Sequence, residues 1–120
     1  MPDIIELNTE KRIIEIRSYG MVEEGDIENS IKLITKINEQ SGVNKVLVDT
    51  TEQESMPNTF SEFSIFSEFP RNFRVALLAN QEQPTVEDIR FVETVAQNRG
   101  IQMQVFNTRK EALEWLEEGN

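Results

Sequence analysis

Three short polar clusters in the sequence carry side chains that could bind a ligand or react with it. Asp49-Thr50-Thr51, Asn80-Gln81 and Asn107-Thr108 each follow an apolar run that predicts a strand. In an open α/β sheet, ligands bind beyond the carboxyl ends of the parallel strands, where these clusters would meet. The candidate edge for a ligand or a protein partner consists of six residues: Asp49, Thr50, Thr51, Asn80, Asn107 and Thr108. Such residues are also preferred as helix caps and in turns, so the clusters have a purely structural interpretation as well.

The sequence lacks the residues on which most catalytic and metal sites depend. It contains no histidine and no cysteine, which excludes Ser-His-Asp and Cys-His nucleophiles and the common zinc sites. None of its five glycines forms a GxGxxG or GxxxxGKS/T loop, so the familiar phosphate-binding loops are missing too. The acidic pairs Glu23-Glu24 and Glu117-Glu118 lie at predicted helix ends and are typical of a solvated surface. We predict no catalytic residue, no metal site and no cofactor, and therefore no enzyme.

A phenylalanine-rich segment is the most unusual feature of the chain. Five of its seven phenylalanines lie between Phe60 and Phe73. On a helix, a spacing of three residues drifts by about 60° per step, so these rings would spread around half of the circumference. The candidate apolar surface consists of Met56, Phe60, Phe63, Phe66 and Phe69. It would line a cavity for an apolar small molecule or a homodimer contact, unless the rings only fill an uneven core.

The overall charge narrows the classes of partner. The chain has 22 acidic and 12 basic residues, a formal charge of -10, which disfavours nucleic acid and anionic membranes. The absence of cysteine suits a reducing compartment. The acidic start Met1-Pro2-Asp3 does not resemble a secretion signal, and no apolar run is long enough to span a membrane. We therefore expect a cytoplasmic protein.

Hydrophobic periodicity predicts alternating strands and helices. The predicted elements are strands at Asp3 to Leu7 and Arg12 to Ser18, a helix from Glu23 to Gln40, strands at Lys45 to Asp49 and Phe73 to Ala79, a helix from Thr85 to Gly100, a strand from Ile101 to Phe106 and a helix from Thr108. Strands joined through helices run parallel. The sequence thus predicts a single α/β domain, residues 1–120, with a mixed sheet of four to five strands. We expect an N-terminal hairpin plus parallel strands, and about four helices.

Several local patterns are similar to those of a known family. They are Gly20 before an acidic helix entry at Glu24 and Asp26, the strands Val46 to Asp49 and Arg74 to Leu78, and the stretch from Val105 through Trp115 to Leu116. With the early hairpin, they resemble the SpoIIAA-like family of the STAS superfamily, whose fold is also compared with CRAL-TRIO lipid-binding modules. The resemblance covers essentially the whole chain and carries the fold more firmly than an activity.

The resemblance implies a non-enzymatic module that regulates another protein, or itself in a homodimer, by binding. The alternative, from the lipid-binding relatives, is a carrier of a small apolar ligand. In anti-sigma-factor antagonists of the family, a serine that follows an aspartate after the third strand is phosphorylated. The corresponding residues 49–59 lack an Asp-Ser-Ser-Gly pattern. Ser55 and Thr59 are candidate phosphoacceptors by position alone.

Overall fold

The computed structural model describes residues 3–55 and 72–118. In chain order its elements are β1 (Asp3–Asn8), β2 (Ile13–Met21), α1 (Glu24–Ser41), β3 (Lys45–Ser55), β4 (Arg74–Leu78), α2 (Val86–Asn98), β5 (Gln102–Phe106) and α3 (Arg109–Glu118). The described residues thus contain three helices, where the sequence predicts about four. The fourth predicted helix, in the phenylalanine-rich segment, lies outside the described residues. Phe73, which ends this segment, is described and is fully buried just before β4.

The five strands form one mixed sheet in the order β1-β2-β3-β4-β5. β1 and β2 form an antiparallel hairpin, while β2, β3, β4 and β5 run parallel to one another. This confirms the predicted hairpin plus parallel strands. Because each parallel strand returns through a crossover, all four of them end at the same edge of the sheet. We call this the carboxyl edge.

The core lies on both faces of the sheet. On one face, alternate residues of β2 to β5 pack against α1 and α2; this cluster includes Ile14, Val46, Val75, Ile89 and Met103. On the other face, α3 packs against β3, β4 and β5 through Ala112 and Leu116, and Ile13 of β2 belongs to the same cluster. The uninterrupted apolar runs of β3 and β4 follow from this arrangement, since both strands are covered on both faces.

Two strands are longer than predicted. β2 continues past Ser18 to Met21, and β3 continues past Asp49 to Ser55. Their extensions pair with each other, with register shifts that leave extra residues on β3, as in a β-bulge. Gly20 lies in the extension at a φ of 72°, in the left-handed region that glycine adopts without strain. The polar run of β3 therefore belongs to the sheet and not to a loop.

Local signals place the start and end of α1. The backbone N–H of Glu23 donates to the Asp26 carboxylate at 3.0 Å, which fixes the first turn. This hydrogen bond favours the charged carboxylate and lowers the pKa of Asp26 below its ordinary value of 3.8. At the other end, Gly42 has a φ of 78° and donates its N–H to the Asn38 carbonyl, as predicted for a glycine that ends a helix.

Candidate functional site

The structure brings the predicted polar clusters to the carboxyl edge but gives them different surroundings. Asn80 follows β4 and Asn107 follows β5, both exposed. Asp49, Thr50 and Thr51 lie within β3, because that strand continues to Ser55. The three clusters therefore do not form one continuous ring of exposed groups around a pocket.

Asp49 and Thr51 interact with each other. The Asp49 carboxylate oxygen Oδ1 accepts hydrogen bonds from the Thr51 backbone N–H at 2.9 Å and from its hydroxyl at 2.6 Å. They lie at the point where the register between β2 and β3 shifts. The Asp49 side chain thus accepts from a backbone N–H that the irregular strand pairing leaves without a backbone acceptor.

Thr50 belongs to a buried polar network under the start of α2. The members of this polar network are the five buried polar side chains among residues 3–55 and 72–118: Ser18, Thr50, Gln53, Gln83 and Thr85. Each has at least one hydrogen-bond partner within the network. A buried polar group without a partner costs about 1–3 kcal/mol, so these hydrogen bonds hold the members of the network in place.

Gln83 is the centre of the polar network. Its amide nitrogen lies 3.0 Å from the Thr50 carbonyl, 3.2 Å from the Thr50 hydroxyl and 2.9 Å from the Thr85 hydroxyl. Its amide oxygen accepts from the Asn80 backbone N–H at 2.7 Å. The Thr50 hydroxyl in turn donates to the Leu78 carbonyl at 2.8 Å. One side chain therefore ties β3, the end of β4 and the approach to α2 together.

The rest of the network joins α2 to β2 through β3. The Thr85 hydroxyl donates to the Gln53 side-chain oxygen at 3.1 Å, and the Gln53 amide donates to the Ser18 hydroxyl at 3.0 Å. The spacing of Thr85 and Asp88 predicts a capping box, but the Thr85 side chain makes no capping hydrogen bond to α2. That prediction is wrong because the Thr85 hydroxyl bonds to Gln53 and Gln83 instead.

The remaining members of the candidate edge act in local turns. The Asn80 side chain accepts from the Glu82 backbone N–H at 2.9 Å and so closes a turn. The spacing of Thr108 and Glu111 predicts a helix cap, and the structure contains one: the Thr108 hydroxyl accepts from the backbone N–H of Glu111 and donates to its carboxylate, both at 3.2 Å. Binding of a ligand or a protein partner by Asn80 and Thr108 stays a prediction.

Ser55 is the candidate phosphoacceptor within the described residues. It is half-buried at the end of β3, and its carbonyl accepts from the Val22 backbone N–H at 3.0 Å. The other candidate, Thr59, and the whole candidate apolar surface of Met56, Phe60, Phe63, Phe66 and Phe69 lie outside the described residues. Their roles stay predictions.

The exposed part of the carboxyl edge combines one large apolar side chain with acidic ones. Met21 ends β2 beside Ser55 and is 68% exposed, the most exposed of the large hydrophobic residues described. Glu52 and Glu54 are exposed on the neighbouring strand, and Glu82 is exposed after β4. Sequence reasoning missed Met21, because the helix signals that begin at Glu23 do not show that β2 runs beyond Ser18.

Two general features of the described residues bear on the class of protein. No group of three or more Asp or Glu side chains among residues 3–55 and 72–118 has an arrangement that could hold a metal ion. None of the three helices there has the length and apolar character needed to cross a membrane. The cytoplasmic location stays a prediction.

Comparison with solved structures establishes the fold. No family model and no curated protein matches the chain. An uncharacterized protein with a SpoIIAA-like fold from Shewanella loihica superposes with a TM-score of 0.64 at 19% identity, over 95% of this chain and 91% of that one. The chain has a SpoIIAA-like fold.

Two further structures share the SpoIIAA-like fold. An anti-sigma factor antagonist from Mycobacterium paratuberculosis has a TM-score of 0.65 at 9% identity, with 96% of this chain and 92% of that chain covered. The anti-sigma factor antagonist SpoIIAA in its unphosphorylated form has a TM-score of 0.56 at 17% identity, with coverage of 96% and 97%. At these identities the likeness establishes the fold, and the function has to be argued from the site.

Proposed function

We propose that this chain is a non-enzymatic, STAS-like regulatory module that binds another protein through the carboxyl edge of its sheet. Two solved structures with the same fold are anti-sigma factor antagonists, which favours regulation by protein binding. The proposal places the contact at the end of β2 and β3 and at the turn after β4. Met21 and Glu82 lie on the exposed part of that surface.

The observation that carries the proposal is an exposed apolar side chain on a fixed support. Met21 is 68% exposed, and its strand pairs with the end of β3, which the polar network holds through Gln53. Methionine is enriched in the cores of protein interfaces. A support whose polar groups are already paired loses little conformational entropy on binding, which favours a docking surface.

The charge of this surface indicates the chemistry of the partner. Four glutamates are exposed on these elements, namely Glu23 after β2, Glu52 and Glu54 on β3, and Glu82 after β4, and the whole chain carries a formal charge of -10. Complementary charge accelerates association and selects among partners. We therefore propose a partner with a basic surface that surrounds an apolar pocket for Met21.

The test compares two matched surface substitutions. Met21→Ser removes the proposed anchor, whereas Phe91→Ser removes a side chain that is 53% exposed on α2 and not on the strands that carry the proposed contact. A partner is first identified by capture on the wild-type chain from its host and is then purified. Isothermal titration calorimetry should show at least about tenfold weaker binding for Met21→Ser, since an interface anchor contributes about 2 kcal/mol or more.

The Phe91→Ser control shows whether weaker binding is specific to the loss of Met21. Phe91→Ser should bind like the wild type, and circular dichroism should show both variants folded. Binding that Met21→Ser leaves unchanged would place the interface elsewhere and overturn the proposal. A partner whose affinity does not fall with rising salt would contradict the proposed basic surface.

Intact mass spectrometry of the chain from its host tests the other predictions for this site. An added phosphate would support the phosphoacceptor prediction for Ser55 or Thr59, and fragmentation would assign it. An unassigned apolar adduct in the native spectrum would support the alternative function, a carrier of a small apolar ligand.

A further inference from the structure

The two edge strands of the sheet differ in how their outer backbone groups are covered. On β5, the Val105 N–H donates to the Glu93 carboxylate at 2.8 Å, and the Met103 carbonyl accepts from the Gln97 side-chain amide at 2.8 Å. Both side chains come from α2 and occupy the groups that a further strand would need. Side chains that cover an edge prevent another strand from pairing with it.

β1 lacks such cover in the described part of the chain. Among residues 3–55 and 72–118, no side chain bonds to an outward-facing peptide group of β1, and its backbone pairs only with β2. Ile4, near the start of this strand, is 44% exposed. Leu33 is also exposed, on α1, the helix that contacts β1. An open edge with apolar side chains is a template for pairing with another strand.

The charges beside this edge are incompletely paired. Glu6 lies directly opposite Glu15, an arrangement of like charges that destabilises a strand pair. Glu15 is neutralised by Arg109 at 2.9 Å. Glu6 is exposed, and so is Arg17, whose cross-strand neighbours are Ile4 on β1 and Asp49 on β3. Neither Glu6 nor Arg17 has a hydrogen bond or an ion pair in the part of the chain that the structure describes.

We propose that β1 pairs antiparallel with β1 of a second copy of this chain, about a two-fold axis at Ile5. Residues directly opposite in such a pair lie on the same face. Centring the pair on Glu6 would place two like charges together, and centring it on Ile4 would pair only residues 3–5 within β1. Centring it on Ile5 pairs residues 3–7 and joins the two sheets into one.

This register brings the two unpaired charges of each copy together. Glu6 of the second copy lies opposite Ile4, whose other neighbour is Arg17. The backbones of Arg17 and of that Glu6 are then two strand spacings, about 10 Å, apart. Extended arginine and glutamate side chains bridge such a distance by passing over Ile4, which they also cover. The symmetry produces this ion pair twice.

The net charge of the chain does not prevent this pairing. Each copy carries a formal charge of -10, but at physiological ionic strength charges more than about 8 Å apart are largely screened. The contact would be a weak dimer because a single strand pair buries a small interface. This dimer contact is independent of the proposed protein-binding surface. In the sheet, β1 lies on one side of β2, whereas β3 and the rest of the polar network lie on the other side.

Charge reversal tests the proposed register. Sedimentation equilibrium over a concentration series should show the wild-type chain in reversible exchange between monomer and dimer. Glu6→Arg and Arg17→Glu should each weaken the dimer at least about tenfold, because two symmetric contacts turn from attractive to repulsive. The double variant, which restores the original net charge, should dimerise like the wild type. Glu10→Arg, an exposed change in the turn after β1, should have no effect.

Disulfide cross-linking provides a second test, because the chain contains no cysteine. Directly opposite residues lie within the Cα distance that a disulfide spans. A mixture of Ile4→Cys and Glu6→Cys chains should therefore cross-link, and either variant alone should not. A wild-type chain that stays monomeric at millimolar concentration overturns the proposal, as does a dimer that survives both charge reversals. Cross-linking of the Ile4→Cys chain with itself would refute the register.

Discussion

The buried Gln83 side chain should be among the most sensitive polar positions of this protein. Gln83→Met keeps the length and approximate volume of the side chain and removes all of its hydrogen bonds. The Thr50 carbonyl and the Asn80 backbone N–H, at 3.0 and 2.7 Å from Gln83, each lose a partner. At about 1–2.5 kcal/mol for each group, the free energy of unfolding should fall by about 2–5 kcal/mol. In a chain of this size that lowers the melting temperature by about 8–20 °C.

Urea unfolding followed by the fluorescence of Trp115, the sole tryptophan, measures this change. Trp115 lies on α3, on the face of the sheet away from the polar network, so its emission reports global unfolding and not the substituted site. Circular dichroism should give the same midpoint if unfolding is two-state. Gln81→Met is the matched control: Gln81 is exposed two residues away, and its change should be within about 0.5 kcal/mol. Equal stability of Gln83→Met and Gln81→Met would refute the role assigned to Gln83.

Three further predictions concern other parts of the fold. Arg74 lies 3.8 Å from the centre of the Trp115 ring and donates two hydrogen bonds to the Trp115 carbonyl. Arg74→Ala should therefore lower the free energy of unfolding in urea by about 2 kcal/mol and shift the Trp115 emission. Unchanged emission would contradict this contact. Gly25→Ala should stabilise α1 by about 0.5 kcal/mol in thermal unfolding, because the added Cβ meets no atom within 4 Å; a loss of stability would contradict this. The pKa of Asp26 is lowered in the folded state because its carboxylate accepts from the Glu23 N–H. The carboxylate therefore contributes to the stability of the fold above its ordinary pKa of 3.8, and this contribution is lost as the pH falls through the lower folded-state pKa. Asp26→Asn should therefore be less stable than the wild type at neutral pH, with a difference that disappears in acid; a difference independent of pH would contradict the assignment.

Most of the fold could be predicted, because the spacing of hydrophobic residues along the chain indicates its helices and strands. The stripe of Ile27, Ile31 and Ile34 predicts α1 and the apolar runs predict β3 and β4, where burial on both faces removes alternation. The alternation in β5, with exposed Gln102 and Gln104, predicts one solvated face or an edge position, and β5 is an edge strand of the sheet.

The polar network was harder to predict because its members have no local signature. The run Thr50 to Ser55 reads as a loop by composition, and only its pairing with the end of β2 makes it a strand. Gln53 and Gln83 are buried through contacts between residues about thirty positions apart in the chain. One signal was available: Ser18 continues the alternation of Ile14 and Ile16, which places its side chain on the buried face.

The two proposed surfaces together determine how a dimer could act. β1 runs antiparallel to β2, and antiparallel pairing of β1 with β1 of a second copy reverses the direction once more. The parallel strands of the two copies therefore run in opposite directions, and the two carboxyl edges lie at opposite ends of the joined sheet. A dimer of this kind would bind two partner molecules far apart, so their binding should be independent, with one partner per chain. Glu6→Arg should then halve the number of partners per assembly without changing the affinity of each chain, whereas Met21→Ser should weaken the affinity and leave the dimer intact. An affinity that falls on Glu6→Arg would show instead that one partner contacts both copies, which this geometry does not allow.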